Sequence, residues 1–329
     1  MGGAGAGSAA VALALAAINI ATISMATACA TPTNPTQTTP PAPSPPPAPS
    51  SAPALWFGGD VHLGVSARSD LSSITAMMRG AAGVVNLEGP IALGPGGSRN
   101  PRKGPIWLAN PTGTADFLRA QRILAASIAN NHAGDLGMDG EARTVASLRA
   151  AAVTPFGRAA GAATLLVDGV DVRLFSHEVE DPGLPATLTS QLGISNLFSV
   201  VALHVTGPPS YLPSPALTAA VDAATDAGAD VVVVHGSHLV GPVVRRGSAV
   251  VAFGLGNLLF DCPCTDQTDA IVLRVPVNGS GRAEIFPIRA GLNGADASPA
   301  PDADGILDLL AGLDSTPFTR IGGRGLLQD

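Results

Sequence analysis

Three short stretches carry the residues best suited to hold a metal or move a proton. They are Asp60-Val61-His62, Asn131-His132 with Asp135 close behind, and His235-Gly236-Ser237-His238. The chain has six histidines, and five of them (His62, His132, His204, His235 and His238) lie within a few residues after an apolar run. A turn calls for Asn, Gly or Asp and has no use for an imidazole. Glu88, closing the run "VVNLE", is placed in the same way. Imidazoles and carboxylates suit zinc, iron or manganese, and a carboxylate can bridge two ions. A pair of such ions binds both the attacking and the leaving oxygen of a phosphoryl group.

Each motif alone has an ordinary explanation. Asp60-x-His62 fits a turn with a surface histidine, His235-x-x-His238 a solvated or pH-sensitive loop, and His132 a hydrogen-bonded core residue. Their joint position is the informative fact, because every one closes a strand candidate. Strand ends gather along one edge of a sheet, so segments distant in sequence can meet there.

The elements that must do this positioning are legible in outline. Ala54 to Phe57, Gly83 to Gly89, the run from Ile123 and Ser199 to Val205 read as strands. So do the valines before His235, "SAVVAFGLGN", "DAIVLRVPV" and "RAEIFPI". Leu71 to Ala81, Thr114 to Ala120, Asp139 to Ala151 and Pro215 to Ala227 read as helices, with Asp139 available as a cap. A short helix is expected near Ile306 to Leu313. Asp168-Gly169 between alternating runs predicts a hairpin over Ala163 to Ser176. Helices alternate with strands early and strands dominate later, which implies an α/β sandwich.

The first 59 residues contain no charged side chain. Within them, Val11 to Ile23 is an apolar run of signal-peptide length, followed by "ATACA" with cleavage positions after Ala28 or Ala30. No Lys or Arg precedes the run, which departs from the usual leader. Cys29 stands where a lipoprotein carries its acylated cysteine, with Ala26 replacing the usual larger aliphatic residue. Residues 31–54 hold ten prolines and read as an extended spacer. The expected organisation is therefore a leader over 1–30, a Pro/Thr-rich linker over 31–54 and one domain over 55–329. Export to the cell envelope follows, either secreted or held at the membrane through Cys29. Three cysteines exclude a disulfide scaffold, although Cys262 and Cys264 in "CPC" are either a bridge or two thiols. A net charge of −7 offers no basic footprint for nucleic acid.

"GGDVHLG", "VVNLEGP", "ANNHAGDLGMDG", "VALHVTG", "GADVVVVHGSHLV" and "FGLGNLLFD" occur in the order seen in CapA-like proteins. Those proteins are associated with poly-γ-glutamate capsule synthesis and belong to the calcineurin-like metallophosphoesterase superfamily. The chain resembles them from about Leu55 to Val275. The resemblance implies a four-layer αββα fold with two divalent metals, Mn, Fe or Zn, at the strand ends. Asp60 would be the bridging carboxylate, His62 a ligand of one metal and Glu88 a ligand where relatives carry Asp. Asn131 would bind the second metal, His204 and His238 would complete the shells, and His132 would be the acid beside the leaving group, oriented by Asp135.

Two departures stand out. The family commonly has two histidines two residues apart where this chain has Gly236 and His238, so His235 either substitutes or one metal loses a ligand. The Trp after the family's equivalent of His204 is absent, Val205 standing there. The expected activity is hydrolysis of a phosphoester, or a related anionic substrate, by metal-activated water. Arg99, Arg102 and Lys103 in "GPGGSRNPRKG" are candidates to hold the anion. The alternative is a non-hydrolytic envelope factor that binds poly-γ-glutamate or another anionic polymer.

Overall fold

A computed structural model describes residues 52–64, 69–92, 99–179, 183–194, 196–277 and 282–328. The expected leader, Cys29 and nearly all of the expected linker lie outside them. The described residues belong to one compact unit, Pro49–Asp329.

The first run of the chain builds half of one sheet. It comprises β1 (Ala54–His62), α1 (Ser72–Met77), β2 (Ala82–Leu87), α2 (Thr114–Ala120), β3 (Ile123–Ser127), α3 (Gly137–Ala150) and β4 (Thr154–Phe156). These four strands are parallel in the order β1-β2-β3-β4. The middle run builds a second sheet from β5 (Ala163–Val167), β6 (Val170–Glu178), β7 (Phe198–His204), β8 (Val231–His235), β9 (Val243–Arg246) and β10 (Ala249–Ala252). Its order is β5-β6-β7-β8-β10-β9, with β6, β7, β8 and β10 parallel. Helices α4 (Ala186–Gly193) and α5 (Pro215–Asp226) make the crossovers.

The chain then returns to the first sheet. Strand β11 (Asn257–Phe260) lies parallel to β1, and β12 (Asp269–Pro276) and β13 (Glu284–Arg289) extend the sheet antiparallel. Short strands β14 (Gly291–Leu292) and β15 (Ser298–Pro299), helix α6 (Ala303–Gly312) and the hairpin β16 (Phe318–Ile321)–β17 (Arg324–Leu327) complete it.

Side chains of a strand alternate between faces, and this divides the core. Leu55, Phe57 and Val84 point between the sheets and meet Val172, Leu174, Val200, Val231 and Val233. Trp56, Val85 and Ile123 face outward against Ile74, Leu118 and Leu148 of α1, α2 and α3. Val201, Leu203, Val232 and Val234 face outward against Leu192 of α4 and Leu217 and Val221 of α5. The layers therefore run helix, sheet, sheet, helix, the α/β sandwich expected. Four successive valines in β8 are apolar on both faces because both faces are covered.

Local chemistry sets the boundaries. Ser214 Oγ accepts from Leu217 N at 3.2 Å and Pro215 opens α5, as a helix start requires. Asp168 and Gly169 both take positive φ (45° and 87°), the pattern of a tight hairpin turn. α3 differs from expectation: it starts at Gly137, and Asp139 sits in its first turn with no capping bond. Successive turns from Asn130 to Gly137 (Ala133 N to Asn130 O, Asp135 N to His132 O, Gly137 N to Gly134 O) already wind the backbone before Asp139 is reached. "SAVVAFGLGN" also differs, since β10 belongs to the second sheet and Asn257 begins β11 in the first. Gly59 permits that crossing: a Cβ there would lie 1.9 Å from the Gly256 carbonyl oxygen. Just past β11, Cys262 and Cys264 form a disulfide.

Candidate metal centre

The C-terminal ends of β1, β2, β7 and β8 meet at one edge of the sandwich, and each delivers a polar side chain. Asp60 is buried in β1, in register with Asn86 of β2 and Asn257 of β11. Its Oδ1 accepts from Asn86 Nδ2 at 2.9 Å and its Oδ2 from Gly236 N at 3.2 Å. Asn130 holds Asn86 in turn, donating to its Oδ1 at 3.1 Å and to Leu87 O at 2.9 Å. From the second sheet, His235 Nδ1 comes within 3.5 Å of Asp60 Oδ1 and His238 Nδ1 within 3.2 Å of Asp60 Oδ2. His238 Nδ1 also lies 2.9 Å from Asn257 Oδ1, and its ring packs on Phe260 with centroids 4.8 Å apart. His204 Nε2 is 3.9 Å from Glu88 Oε1, too far for a hydrogen bond. Asp60, Glu88 and His238 each offer an atom within 4.8 Å of the others. His62 also packs its ring on Phe260, with centroids 5.7 Å apart.

Burial and charge move these groups in opposite directions. Burial pushes Asp60 up, but the imidazoles of His235 and His238 facing it outweigh that and hold Asp60 well below the usual carboxylate value. Burial, then the Asp60 charge, raise Glu88 to about 8. Burial lowers His62 to about 4 and His204 to about 3, so both are neutral imidazoles. His238 resists its own burial because Asp60 and Glu88 face it, and it rises to about 9. His238 also adopts φ +57°, a left-handed conformation that costs a non-glycine residue energy and collects at functional sites.

Beside the cluster, His132 Nδ1 is 2.7 Å from Asp135 Oδ2, and that buried carboxylate also accepts from Leu108 N at 2.8 Å. His132 is near enough for its charge to act on His62 and His204. Lys103 Nζ donates to the carbonyl of Asn131. Arg99 spends its guanidinium on the carbonyls of Gly104 and Pro105, and Arg102 stands exposed. Among the described residues, Lys103 is the cation of that loop bonded to a site segment, and Asn100 of the same loop bonds to Gly134 and Asp135.

Supporting residues escape a reading based on ligand types. Asn86, Asn130 and Asn257 orient Asp60 and His238, and their signal is an amide at the close or opening of an apolar run. Asn110 donates to the carbonyls of Glu88 and Gly89 and accepts from Leu63 N, and nothing in "WLANPTG" announces it. The Gly236 amide is invisible to any side-chain motif.

The donor set fits a divalent cation on a direct observation. His62 Nδ1, Glu88 Oε2, Asn131 Oδ1, both ring nitrogens of His204 and His235 Nδ1 are buried without a hydrogen-bond partner. Buried polar atoms left unpaired cost of order 1–3 kcal/mol each. Six such atoms on residues at or just past the strand ends mark a polar edge that a hard or borderline cation would satisfy.

An α/β sandwich with carboxylates and imidazoles converging from two sheets defines a candidate metal-binding protein. Residues 54–183 and 194–262 match the family of bacterial capsule synthesis proteins, PGA_cap, and the chain belongs to that family. It is 36% identical over 81 residues to the PGA biosynthesis protein CapA of Bacillus subtilis (strain 168). That stretch covers 24% of this chain and 20% of the relative. A crystal structure of a hypothetical protein from Thermus thermophilus is similar over 75% of this chain and 98% of that one, at 15% identity and a TM-score of 0.44.

Proposed function

We propose that this chain is an exported, metal-dependent hydrolase of a phosphoester or related anionic substrate. The observation carrying the proposal is the set of unpaired buried nitrogens and oxygens around Asp60. Asp60, His62, Glu88, Asn131, His204, His235 and His238 would hold two divalent ions, manganese, iron or zinc. Such ions, when bound, stabilise phosphoryl charge and lower the pKa of water towards ~7. The chain's own part is to supply Asp60 already ionised, to keep His62 and His204 neutral, and to shed the proton of Glu88. His132 donates a hydrogen bond through its Nδ1–H to the Asp135 carboxylate. That leaves Nε2 as the atom that passes a proton to a departing oxygen. Lys103, bonded to the Asn131 carbonyl, adds positive charge on the same flank.

Export is supported by the apolar run before Cys29 and by the Cys262–Cys264 disulfide, a bond typical of oxidising compartments. Mass spectrometry of the mature N-terminus tests it, and an acylated Cys29 establishes membrane attachment. The role of the curated relative in PGA biosynthesis supports a second reading, in which the site binds an anionic polymer without cleaving it. Elemental analysis of the purified protein, with turnover of aryl phosphate mono- and diesters under added manganese or zinc, separates the two. Bound metal with turnover lost in His132→Gln supports hydrolysis. Bound metal without turnover supports polymer binding. Protein that binds no metal overturns both.

A further inference from the structure

A cavity of about 410 Å³ opens beside the ligand cluster, between the segment after β7 and the segment after β8. It shares its wall with the site. Val205 follows His204, and Gly236 lies between His235 and His238 with its amide on Asp60. A Cβ on Gly236 would meet the Val205 carbonyl oxygen at 2.1 Å and the His204 ring at 2.7 Å, so the glycine lets the segment after β8 pack directly on His204 at the edge of the cavity. The size suits one small organic group.

The wall carries no ionisable side chain. Leu212, Leu217 and Phe253 provide apolar surface, and the hydroxyls are already engaged. Ser210 bonds to Leu212 O, Ser237 to Leu239 O, and Ser214 caps α5. Thr206 Oγ1 donates to Glu178, a carboxylate that pairs with Arg158 at 3.4 Å. A carboxylate entering this cavity loses water and meets no cationic side chain in its lining, a costly exchange.

Resting on the hydrolase reading, we infer that the alcohol part of the ester, seated in this cavity, is uncharged and largely apolar. Poly-γ-glutamate, with a carboxylate on every residue, does not fill it. The step forms a P–O bond to water and breaks the P–O bond to the neutral alcohol, whose oxygen leaves with one proton.

The test compares phenyl phosphate with 4-carboxyphenyl phosphate on the wild type, Leu212→Lys and Leu212→Asp. Leu212 is 60% exposed, so either change leaves packing intact. Wild type is expected to favour the phenyl ester at least ~10-fold in kcat/KM. Leu212→Lys should narrow that ratio and Leu212→Asp widen it. Equal kcat/KM for both esters, or a ratio unmoved by both variants, overturns the inference while leaving the hydrolase reading intact. If neither ester turns over, the hydrolase reading fails, and ligand-observed NMR with phenol and 4-hydroxybenzoate still decides. Saturation transfer to phenol alone supports a cavity for neutral groups, and equal transfer to both refutes it.

Discussion

Adding manganese to the metal-free protein at pH 7 is expected to expel close to two protons. Glu88, raised to about 8, and His238, raised to about 9, both carry protons at that pH in the metal-free fold. A carboxylate ligand must be anionic and an imidazole ligand neutral, so both protons leave when an ion enters. The occupancies at pH 7 are about 0.9 and about 0.99, giving about 1.9 protons per protein. The same values make manganese bind about 50-fold more tightly at pH 8 than at pH 7. Asp60, His62 and His204 contribute no protons, because the first is already ionised and the others already neutral. Titration calorimetry at pH 7 in buffers of different ionisation enthalpy reads the proton count from the slope of observed heat. A slope near zero, or an affinity equal at pH 7 and pH 8, would refute the account of how Asp60 and Glu88 charge His238.

The metal-free fold should lose stability on acidification below pH 6.5. His62 and His204 have depressed folded values, so their contribution is present above the unfolded value of 6.5 and lost as pH falls towards about 4 and about 3. Glu88 has a raised folded value, so its contribution is largest below 4.5 and fades as pH rises through about 8, opposing one of the two histidines. The net slope between pH 4.5 and 6.5 is about 1 kcal/mol per pH unit in favour of higher pH, and denaturant unfolding across that range checks it. Asp135→Asn should lower kcat on an aryl phosphate by about 10²-fold with metal content unchanged; lost metal would instead make Asp135 part of the ion's shell. Gly236→Ala should destabilise the protein by about 2–5 kcal/mol, since φ is +91° and the Val205 carbonyl blocks a side chain. A denaturation midpoint equal to wild type would show that the close packing of Gly236 on Val205 and His204 yields to a methyl group after all.

Much of the site is legible in the sequence because ligand types are rare and strand ends are easy to find. Asp60, Glu88, His204, His235 and His238 do converge, and the hairpin at Asp168-Gly169 and the helices α2 and α5 lie where the sequence places them. What stays hidden depends on long-range pairing. The crossing of "SAVVAFGLGN" from one sheet to the other is set by the contact of Gly59 with Gly256, far apart along the chain, and no local period encodes it. Helix α4 escapes a sequence reading because "ATLTSQLG" offers few apolar anchors, only Leu192 being buried. Charge alone marks the loop cations as anion binders, whereas backbone geometry turns Arg99 onto its own carbonyls. The supporting asparagines have ordinary turn chemistry, and only the fold reveals what they hold.

The candidate ligands come from both halves of the sandwich: Asp60, His62, Glu88 and Asn131 from the first sheet, His204, His235 and His238 from the second. An ion at that edge would act as a clasp between two slabs that otherwise adhere through greasy contact and a few polar links, such as Ser127 to Ser176. Sliding of one slab over the other would then be felt at once by the clasp, and its loss would loosen the rim before the interior.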